Sequence, residues 1–347
     1  MAPLIYSALI ISLGLGTTMT FASTHWYLAW MGIEINTLAI IPMMAHNHSP
    51  RAVEATTKYF FAQATASATL LFAGVSNAFL TGAWDITQTH HPLTSTLLTL
   101  ALAMKIGLAP LHSWMPEVMQ GLNLLTGLVL STWQKLAPFC LIYQLQPSNS
   151  NTLVTLGLVS ILVGGWGGFN QVQLRKILAY SSIAHLGWMA LILTFSPPLT
   201  LLTLFTYLMM TSSLFFSLML IRATHINSLS TSWAKIPALT ATVPLVLLSL
   251  GGLPPLTGFL PKWLILQELT KQGLASVATL AALSSLFSLY FYLRLSYAMS
   301  LTMPPNNPAG TLPWRIQSGH NTLLASLTTT TTIWLLPLTP AILALFS

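Results

Sequence analysis

Residues 199–221 read LTLLTLFTYLMMTSSLFFSLMLI, a run of 23 residues without a single charged side chain. Its polar groups are the hydroxyls of serine, threonine and tyrosine, which can bond to the backbone of their own helix. About 20 consecutive apolar residues are enough for an α-helix to cross a hydrocarbon core about 30 Å thick. The stretch therefore predicts a membrane-spanning helix, and similar runs recur along the chain.

The composition of the whole chain also indicates a membrane environment. Only 5% of the 347 residues are charged, whereas a soluble domain has about a quarter. Backbone amides in lipid must be bonded within the protein, and apolar runs of about 20 residues favour helices over a barrel. We therefore predict an all-α membrane protein with about 11 transmembrane helices, near residues 3–22, 26–45, 59–80, 95–115, 122–143, 152–170, 177–195, 199–221, 238–270, 273–293 and 322–345.

Several kinds of function are excluded by what the sequence lacks. The net charge is +7, but the basic residues form no patch or basic helix, so we expect no nucleic-acid partner. The single cysteine, Cys140, has no partner for a disulfide or an iron–sulfur cluster, and we interpret it as a packing residue. We also find no dinucleotide or phosphate-binding glycine motif and no histidine pair with metal-ligand spacing. We therefore predict that this chain binds no cofactor and no metal.

The predicted span at 238–270 is too long for one helix and is interrupted by Gly251–Gly258, which contains paired prolines. Prolines remove amide donors and clash with the preceding turn, so we expect two half-helices there. Residues 110–117 repeat the pattern of residues 255–262: Pro-Leu, an aromatic residue, Pro and a charge. Because the two segments lie five predicted spans apart, they would cross the membrane in opposite directions.

We therefore predict one transmembrane domain over residues 1–347 with two broken helices in an inverted-topology repeat. The repeat halves are placed roughly at 26–221 and 238–345. The alternative is chance similarity between two proline-rich kinks.

The basic residues outside the span centres predict an orientation. All but one of them fall in loops or span ends on the side where the chain begins, and Lys271 falls on the other side. This asymmetry places the N-terminus on the side of synthesis and the C-terminus across the membrane. The residues on the first side are Arg51, Lys58, Arg175, Lys176, Arg222, Lys235, Arg294 and Arg315.

Four charged residues remain inside the predicted spans: Glu34, Lys105 and Lys135 near span centres, and Lys262 after the break in span nine. Each charge at a helix centre costs roughly 2.5–3.5 kcal/mol. Burial favours the neutral form of an amine and a nearby carboxylate favours its charged form, so these residues predict a proton relay. The alternative is a static ion pair with Glu34, although one acid cannot neutralise three lysines. For Lys262, snorkelling from a helix end is a further alternative.

Two histidines lie in or near predicted spans, and either can pass protons near neutrality. They are His112 and His185, and the alternative for each is a hydrogen-bonded core residue. Gly164–Gly168 is glycine-rich, and we interpret it as a close helix contact.

Residues 174–188, LRKILAYSSIAHLGW, resemble the signature segment of the antiporter-like subunits of respiratory complex I, the NADH:ubiquinone oxidoreductase, and of multisubunit cation/proton antiporters. Residues 25–36, 104–110 and 251–259 resemble a mitochondrial subunit of this kind, in a vertebrate-type form. The likeness covers essentially the whole chain.

The resemblance implies roles for individual residues. Glu34 would be the family's membrane glutamate, Lys105 the lysine of the first broken helix, Lys135 the central lysine and Lys262 the terminal lysine. Protons would move along this polar axis, driven by quinone reduction elsewhere in the complex. NADH, FMN, iron–sulfur clusters and ubiquinone would be bound by other subunits.

The resemblance also implies a location in the mitochondrial inner membrane, with the N-terminus on the matrix side and the C-terminus on the intermembrane-space side. Partners would be lipid and other membrane subunits at both ends of the axis. Sibling pumping subunits have an acid where this chain has Lys262, which leaves open whether this subunit releases protons itself. A free-standing cation/proton antiporter is the main alternative, and a membrane scaffold without transport is a third possibility.

Overall fold

A computed structural model describes residues 3–89, 91–145, 150–234, 237–301 and 322–346. In these ranges the chain is helical, with two isolated β-bridges and no strand. It divides into two compact units, Met1–Ser160 and Ile161–Ser347. The all-α prediction is therefore confirmed.

The first unit contains seven complete helices in its described part. They are α1 (Pro3–Ala22), α2 (Trp26–Met44), α3 (Pro50–Thr81), α4 (Pro92–Ile106), α5 (Trp114–Gly121), α6 (Leu124–Ser131) and α7 (Trp133–Leu145). The unit boundary falls within α8 (Ser150–Gly167). The second unit continues with α9 (Leu174–Ile192), α10 (Pro197–Ile221), α11 (Ile226–Ser230), α12 (Pro237–Gly251), α13 (Phe259–Lys271), α14 (Ala275–Ser300), α15 (Leu323–Trp334) and α16 (Thr339–Phe346).

Each predicted span contains a helix or a broken pair of helices, whereas the short α11 lies between two predicted spans. In the described part of the chain, six helices are long and apolar enough to cross a membrane, with α6 and α7 counted as one. The pair α15 and α16, bent by 69°, makes a seventh. Several other helices are apolar but shorter, so the count of eleven stays a prediction.

Helix α3 begins nine residues before the predicted span because its start is set by capping rather than by apolarity. The Ser49 hydroxyl accepts a hydrogen bond from the Ala52 amide, and Pro50 occupies the first helical position. Its 32 residues extend about 48 Å, which exceeds a hydrocarbon core of about 30 Å. Arg51 and Lys58 can therefore lie outside the hydrocarbon although they are helical.

Arg294 is another basic residue that lies in a helix and not in a loop. It belongs to α14, which continues to Ser300. Lys235 and Arg315 lie outside the described residues.

Glycines set the closest helix contacts within each unit. A Cβ atom on Gly16 of α1 would lie 2.8 Å from the carbonyl oxygen of Gly32 in α2, so the two backbones touch there. In the second unit, a Cβ atom on Gly164 would lie 2.7 Å from the amide nitrogen of Ala184 in α9. The packing interpretation of Gly164–Gly168 is therefore confirmed.

Two helix pairs are broken in the same way. Helices α4 and α12 are each followed by a glycine with positive φ, Gly107 at 88° and Gly252 at 83°. Seven residues separate α4 from α5, and seven separate α12 from α13. The break predicted at Gly251–Gly258 is confirmed, and its counterpart lies at residues 107–113. Both breaks leave backbone carbonyls at a helix end without their usual partners.

Candidate functional site

Lys105 lies in the last turn of α4, immediately before the break at Gly107. Only 5% of the residue is exposed, and its Nζ has no hydrogen-bond partner in the part of the chain that the structure describes. The negative end of the helix dipole favours a cation at this position. The Lys105 backbone carbonyl accepts a hydrogen bond from Gln63 Nε2 at 3.3 Å, which fixes the helix end against α3.

Lys135 lies near the start of α7, where the backbone is irregular on both sides. The preceding α6 ends at Ser131, and the next residue, Thr132, has φ −111° and ψ −69°. Pro138 lacks an amide hydrogen, so the carbonyl of Gln134 loses its usual intrahelical partner. Lys135 is 3% exposed and is therefore as buried as Lys105.

Lys105 and Lys135 line one cavity within the first unit. Its other polar lining comes from Asn36 and Thr37 of α2, Tyr59 and Gln63 of α3, Trp114 of α5 and Gln134 of α7. The two lysines predicted from separate spans therefore share one enclosed space. Such a site is polar enough to hold water, which needs between two and four polar partners.

Glu34 lies on α2, close to this cavity but not in its lining. Its Oε2 atom is buried and has no hydrogen-bond partner among the described residues. The carboxylate is near enough to Lys105 and Tyr59 for a Coulomb interaction. Among the described residues, Glu34 and Lys105 form no ion pair with an N to O distance of 4.0 Å or less.

The other four acids of the chain have different partners. Two of them, Glu54 and Glu117, each lie 2.7 Å from the exposed Lys58. Glu268 pairs with the exposed Lys271 at 3.4 Å. Asp85 accepts a hydrogen bond from the amide of Thr87 in a loop. Glu34 is therefore the acid that can act on the buried lysines of the first unit.

Lys262 lies in the first turn of α13 and is half-buried. Its Nζ donates to the carbonyl of Gly251 at 2.8 Å and lies 3.5 Å from that of Leu250. The ammonium group therefore caps the C-terminal end of α12 across the break, where the helix dipole is negative. Its hydrogen bonds are directed inward, which argues against snorkelling.

His185 and Lys262 line a second cavity, which lies within the second unit. Thr203 and Thr206 of α10 and Trp188 of α9 contribute to the same lining. The ring of His185 lies 5.7 Å from that of Tyr207, measured between centroids. His112 lies in the first break, with Nδ1 3.2 Å from the Pro110 carbonyl oxygen, and does not line the cavity of Lys105.

The sequence did not single out the neutral polar residues of the first cavity. Asn36, Gln63 and Gln134 lie in apolar helices, and two of these amides bond to backbone carbonyls across helices. A polar side chain inside a membrane helix is uncommon and is expected to face the protein interior. That signal was present, but it does not say which helices meet.

Buried lysines on broken membrane helices, placed in two separate cavities, define an antiporter-like membrane subunit. Residues 23–288 match the family described as NADH:quinone oxidoreductase/Mrp antiporter, and residues 289–343 match the NADH dehydrogenase subunit 2 C-terminus. The chain belongs to this NADH:quinone oxidoreductase/Mrp antiporter family. The resemblance predicted from residues 174–188 is confirmed.

The relatives are similar over their full lengths. NADH-ubiquinone oxidoreductase chain 2 of Tetraodon nigroviridis is 67% identical and that of Oncorhynchus mykiss 63% identical, each over 100% of both chains. A chain in the structure of respiratory complex I from Thermus thermophilus has the same fold, with a TM-score of 0.84 and 28% identity. That match covers 97% of this chain and 80% of the other.

Proposed function

We propose that this chain is a proton-translocating membrane subunit of an NADH:ubiquinone oxidoreductase in the mitochondrial inner membrane. It contributes to a redox enzyme but carries no redox centre, and quinone reduction elsewhere in the complex drives it. The observation that carries the proposal is the cavity shared by Lys105 and Lys135 on two irregular membrane helices. Full-length similarity to named chain 2 proteins supports the assignment to this complex.

The geometry of the first unit supports proton transfer between amines. Two ammonium groups in one enclosed space repel each other, so protonation of Lys105 favours proton loss from Lys135, and the reverse. Glu34 favours the charged form of Lys105. At an effective dielectric of about 20, moving unit charges from 4 Å to 8 Å apart changes their energy by roughly 2 kcal/mol, enough to load or unload a proton.

In the second unit, Lys262 is the next proton carrier and His185 is its neighbour in the cavity. Proton loss from Lys262 would weaken its bond to the Gly251 carbonyl, because a charged donor bonds more strongly than a neutral one. The charge state of Lys262 is thereby coupled to the geometry of the second break. His112 has the weaker support of the two histidines, since it lies outside the first cavity.

The chain crosses the membrane about eleven times and contains an inverted repeat. Helices in the first unit and helices starting at α8 begin at matching positions, separated in sequence by 145 to 148 residues: Pro3 and Ser150, Trp26 and Leu174, Pro50 and Pro197, Pro92 and Pro237. The β-bridges His25–Asp85 and Gln173–His225 also occupy matching positions. These equivalences favour halves that begin at α1 and α8, earlier than the halves at 26–221 and 238–345. Each half would contain five of the predicted crossings, and an odd number of crossings inverts the second copy. The eleventh crossing, near residues 322–345, follows both halves.

The N-terminus lies on the matrix side and the C-terminus on the intermembrane-space side. Other membrane subunits bind at both ends of the chain's polar axis, and lipid covers the remaining apolar surface. NADH, FMN, the iron–sulfur clusters and ubiquinone are bound by other subunits. The asymmetry of the basic residues supports the orientation.

The test is substitution of the cavity lysines in the assembled enzyme. Lys105→Met or Lys135→Met removes the titrating amine but keeps an unbranched apolar side chain. We expect fewer protons moved per NADH oxidised, at normal assembly. Lys271→Met is the matched control, because Lys271 is exposed and pairs only with Glu268 in the described structure. Unchanged stoichiometry in both cavity variants would refute the proposal.

The free-standing antiporter and the scaffold predict other results. An antiporter would exchange cations for protons when the purified chain is reconstituted alone in liposomes, whereas a complex subunit is inert there. A scaffold would lose assembly without ever losing coupling in the lysine variants.

A further inference from the structure

Asn36 is a deeply buried polar side chain near the two lysines, and it has no role in the mechanism above. It lies on α2 and lines the cavity of Lys105 and Lys135. It is 1% exposed, and neither Oδ1 nor Nδ2 has a hydrogen-bond partner in the described part of the chain.

The surrounding helices hold Asn36 in place. Gln134 of α7 donates its Nε2 hydrogen to the Asn36 backbone carbonyl at 3.2 Å. On the other side, a Cβ atom at Gly16 of α1 would lie 2.7 Å from Asn36 Oδ1, so the absence of a side chain at Gly16 makes room for the amide. The side chain is thus accommodated by two neighbouring helices without bonding to either through its amide group.

Leaving these groups unpaired would be costly. A buried donor or acceptor without a partner costs about 1–3 kcal/mol, and a charged group costs more. Asn36 contributes one acceptor and one donor group, and Lys105 contributes a further donor with no described partner. Three unpaired groups beside one cavity indicate a small guest that bonds to them.

The chemistry of the three groups selects the guest. It must accept hydrogen bonds from Lys105 and from the Asn36 amide nitrogen, and donate one to the Asn36 oxygen. A monatomic anion such as chloride accepts hydrogen bonds but cannot donate one, and a metal cation does neither, so each leaves part of the set unpaired. Water does both, and the cavity has space for roughly one water molecule.

We propose that Asn36 is a positioning residue that binds a water molecule bridging to Lys105, on the route to Lys135. The proton transfer from Lys105 to Lys135 rests on the proposed function. The water site beside Asn36 does not depend on it. An N–H bond of the Lys105 ammonium breaks as the water oxygen takes that proton. An O–H bond of the water breaks as its proton passes to the neutral amine of Lys135. The water is regenerated and one positive charge has moved.

The test combines a density map with substitutions in the assembled enzyme. Asn36→Leu keeps the size of the side chain and removes both hydrogen-bonding atoms, whereas Asn36→Thr keeps a donor and an acceptor. We expect water density between Asn36 and Lys105 in the unsubstituted enzyme, loss of this density and fewer protons per NADH in Asn36→Leu, and recovery of both in Asn36→Thr.

Asn77→Leu is the matched control for burial alone. Asn77 is 0% exposed, and its amide bonds to the Gln88 carbonyl and the Thr94 hydroxyl. A structural role of this kind should lower the amount of assembled enzyme without changing the protons moved per NADH.

Two results would overturn the inference: no density beside Asn36 in a map that resolves other buried waters, or unchanged stoichiometry in assembled Asn36→Leu. If Lys105→Met lowers the stoichiometry and Asn36→Leu does not, the proposed function stands and this inference falls. If neither lysine variant changes it, the proposed function falls and the density alone decides the water site. Should Asn36→Leu fail to assemble, the unsubstituted enzyme and Asn36→Thr supply the decisive maps.

Discussion

At the residue scale, Gly252 ties backbone conformation to the position of a lysine. It has φ 83°, and a Cβ atom there would lie 2.9 Å from Lys262 Nζ. We predict that Gly252→Ala both strains the backbone, by roughly 1–2 kcal/mol, and displaces the amine from the end of α12. The measurement is the half-life of activity at raised temperature, together with protons moved per NADH.

Gly273 supplies the control for this prediction. It has φ 76°, but a Cβ atom there would meet nothing within 4 Å. Gly273→Ala should therefore shorten the half-life through backbone strain alone and leave the stoichiometry intact. Equal effects of the two substitutions on the stoichiometry would contradict a role for the contact between Gly252 and Lys262.

The residues that could be predicted from the sequence are the ones that disturb an apolar run. Lys105 and Lys135 stand out as charges within predicted membrane spans, and the structure buries both. Asn36 and Gln134 are neutral, so their presence in an apolar helix is a weaker signal than a charge. Their importance depends on which helices meet around them, and that is decided by tertiary packing rather than by local composition.

At the element scale, the contact between α1 and α2 depends on two glycines. A Cβ atom at Gly16 would meet both the Gly32 carbonyl and the Asn36 amide, whereas one at Gly14 would meet nothing within 4 Å. We predict that Gly16→Ala separates the helices, at an overpacking cost of about 1–3 kcal/mol. The amount of this chain recovered in the assembled enzyme measures the effect.

Gly14→Ala is the control on the same helix, and it should assemble normally because alanine is also the better helix former. Normal assembly of Gly16→Ala, with unchanged proton stoichiometry, would show that the close approach of α1 and α2 is not needed.

Element boundaries were less predictable than the elements themselves. The break after α12 follows from paired prolines, which act locally. The start of α3 does not follow from apolarity, because Ser49 and Pro50 begin the helix before the apolar run does. The pair Glu54 and Lys58, one turn apart, then stabilises a polar first section.

At the scale of the whole molecule, the orientation can be tested by labelling. Val172 and Gln272 are exposed and lie in or beside loops that the charge asymmetry assigns to opposite sides. In a Cys140→Ser background, we predict that Val172→Cys reacts with a membrane-impermeant maleimide from the matrix side and Gln272→Cys from the intermembrane-space side.

Inverted submitochondrial particles and mitoplasts expose the two sides separately. Labelling of both cysteines from the same side would mean that one predicted span is missing or extra. The total of about eleven crossings would then be wrong together with the orientation.

The two breaks have a consequence for how their helix pairs should be compared. Lys105 stands before the first break, whereas Lys262 stands after the second and reaches back to the end of α12. When Gly107 is aligned with Gly252, the residue that corresponds to Lys105 is Leu250, and the residue that corresponds to Lys262 is Glu117. What the two breaks have in common is a lysine at the carboxyl end of the first helix, supplied from different places in the chain. A residue-by-residue alignment of the two broken helix pairs would therefore show a mismatch at the position where both pairs place an amine at a helix end.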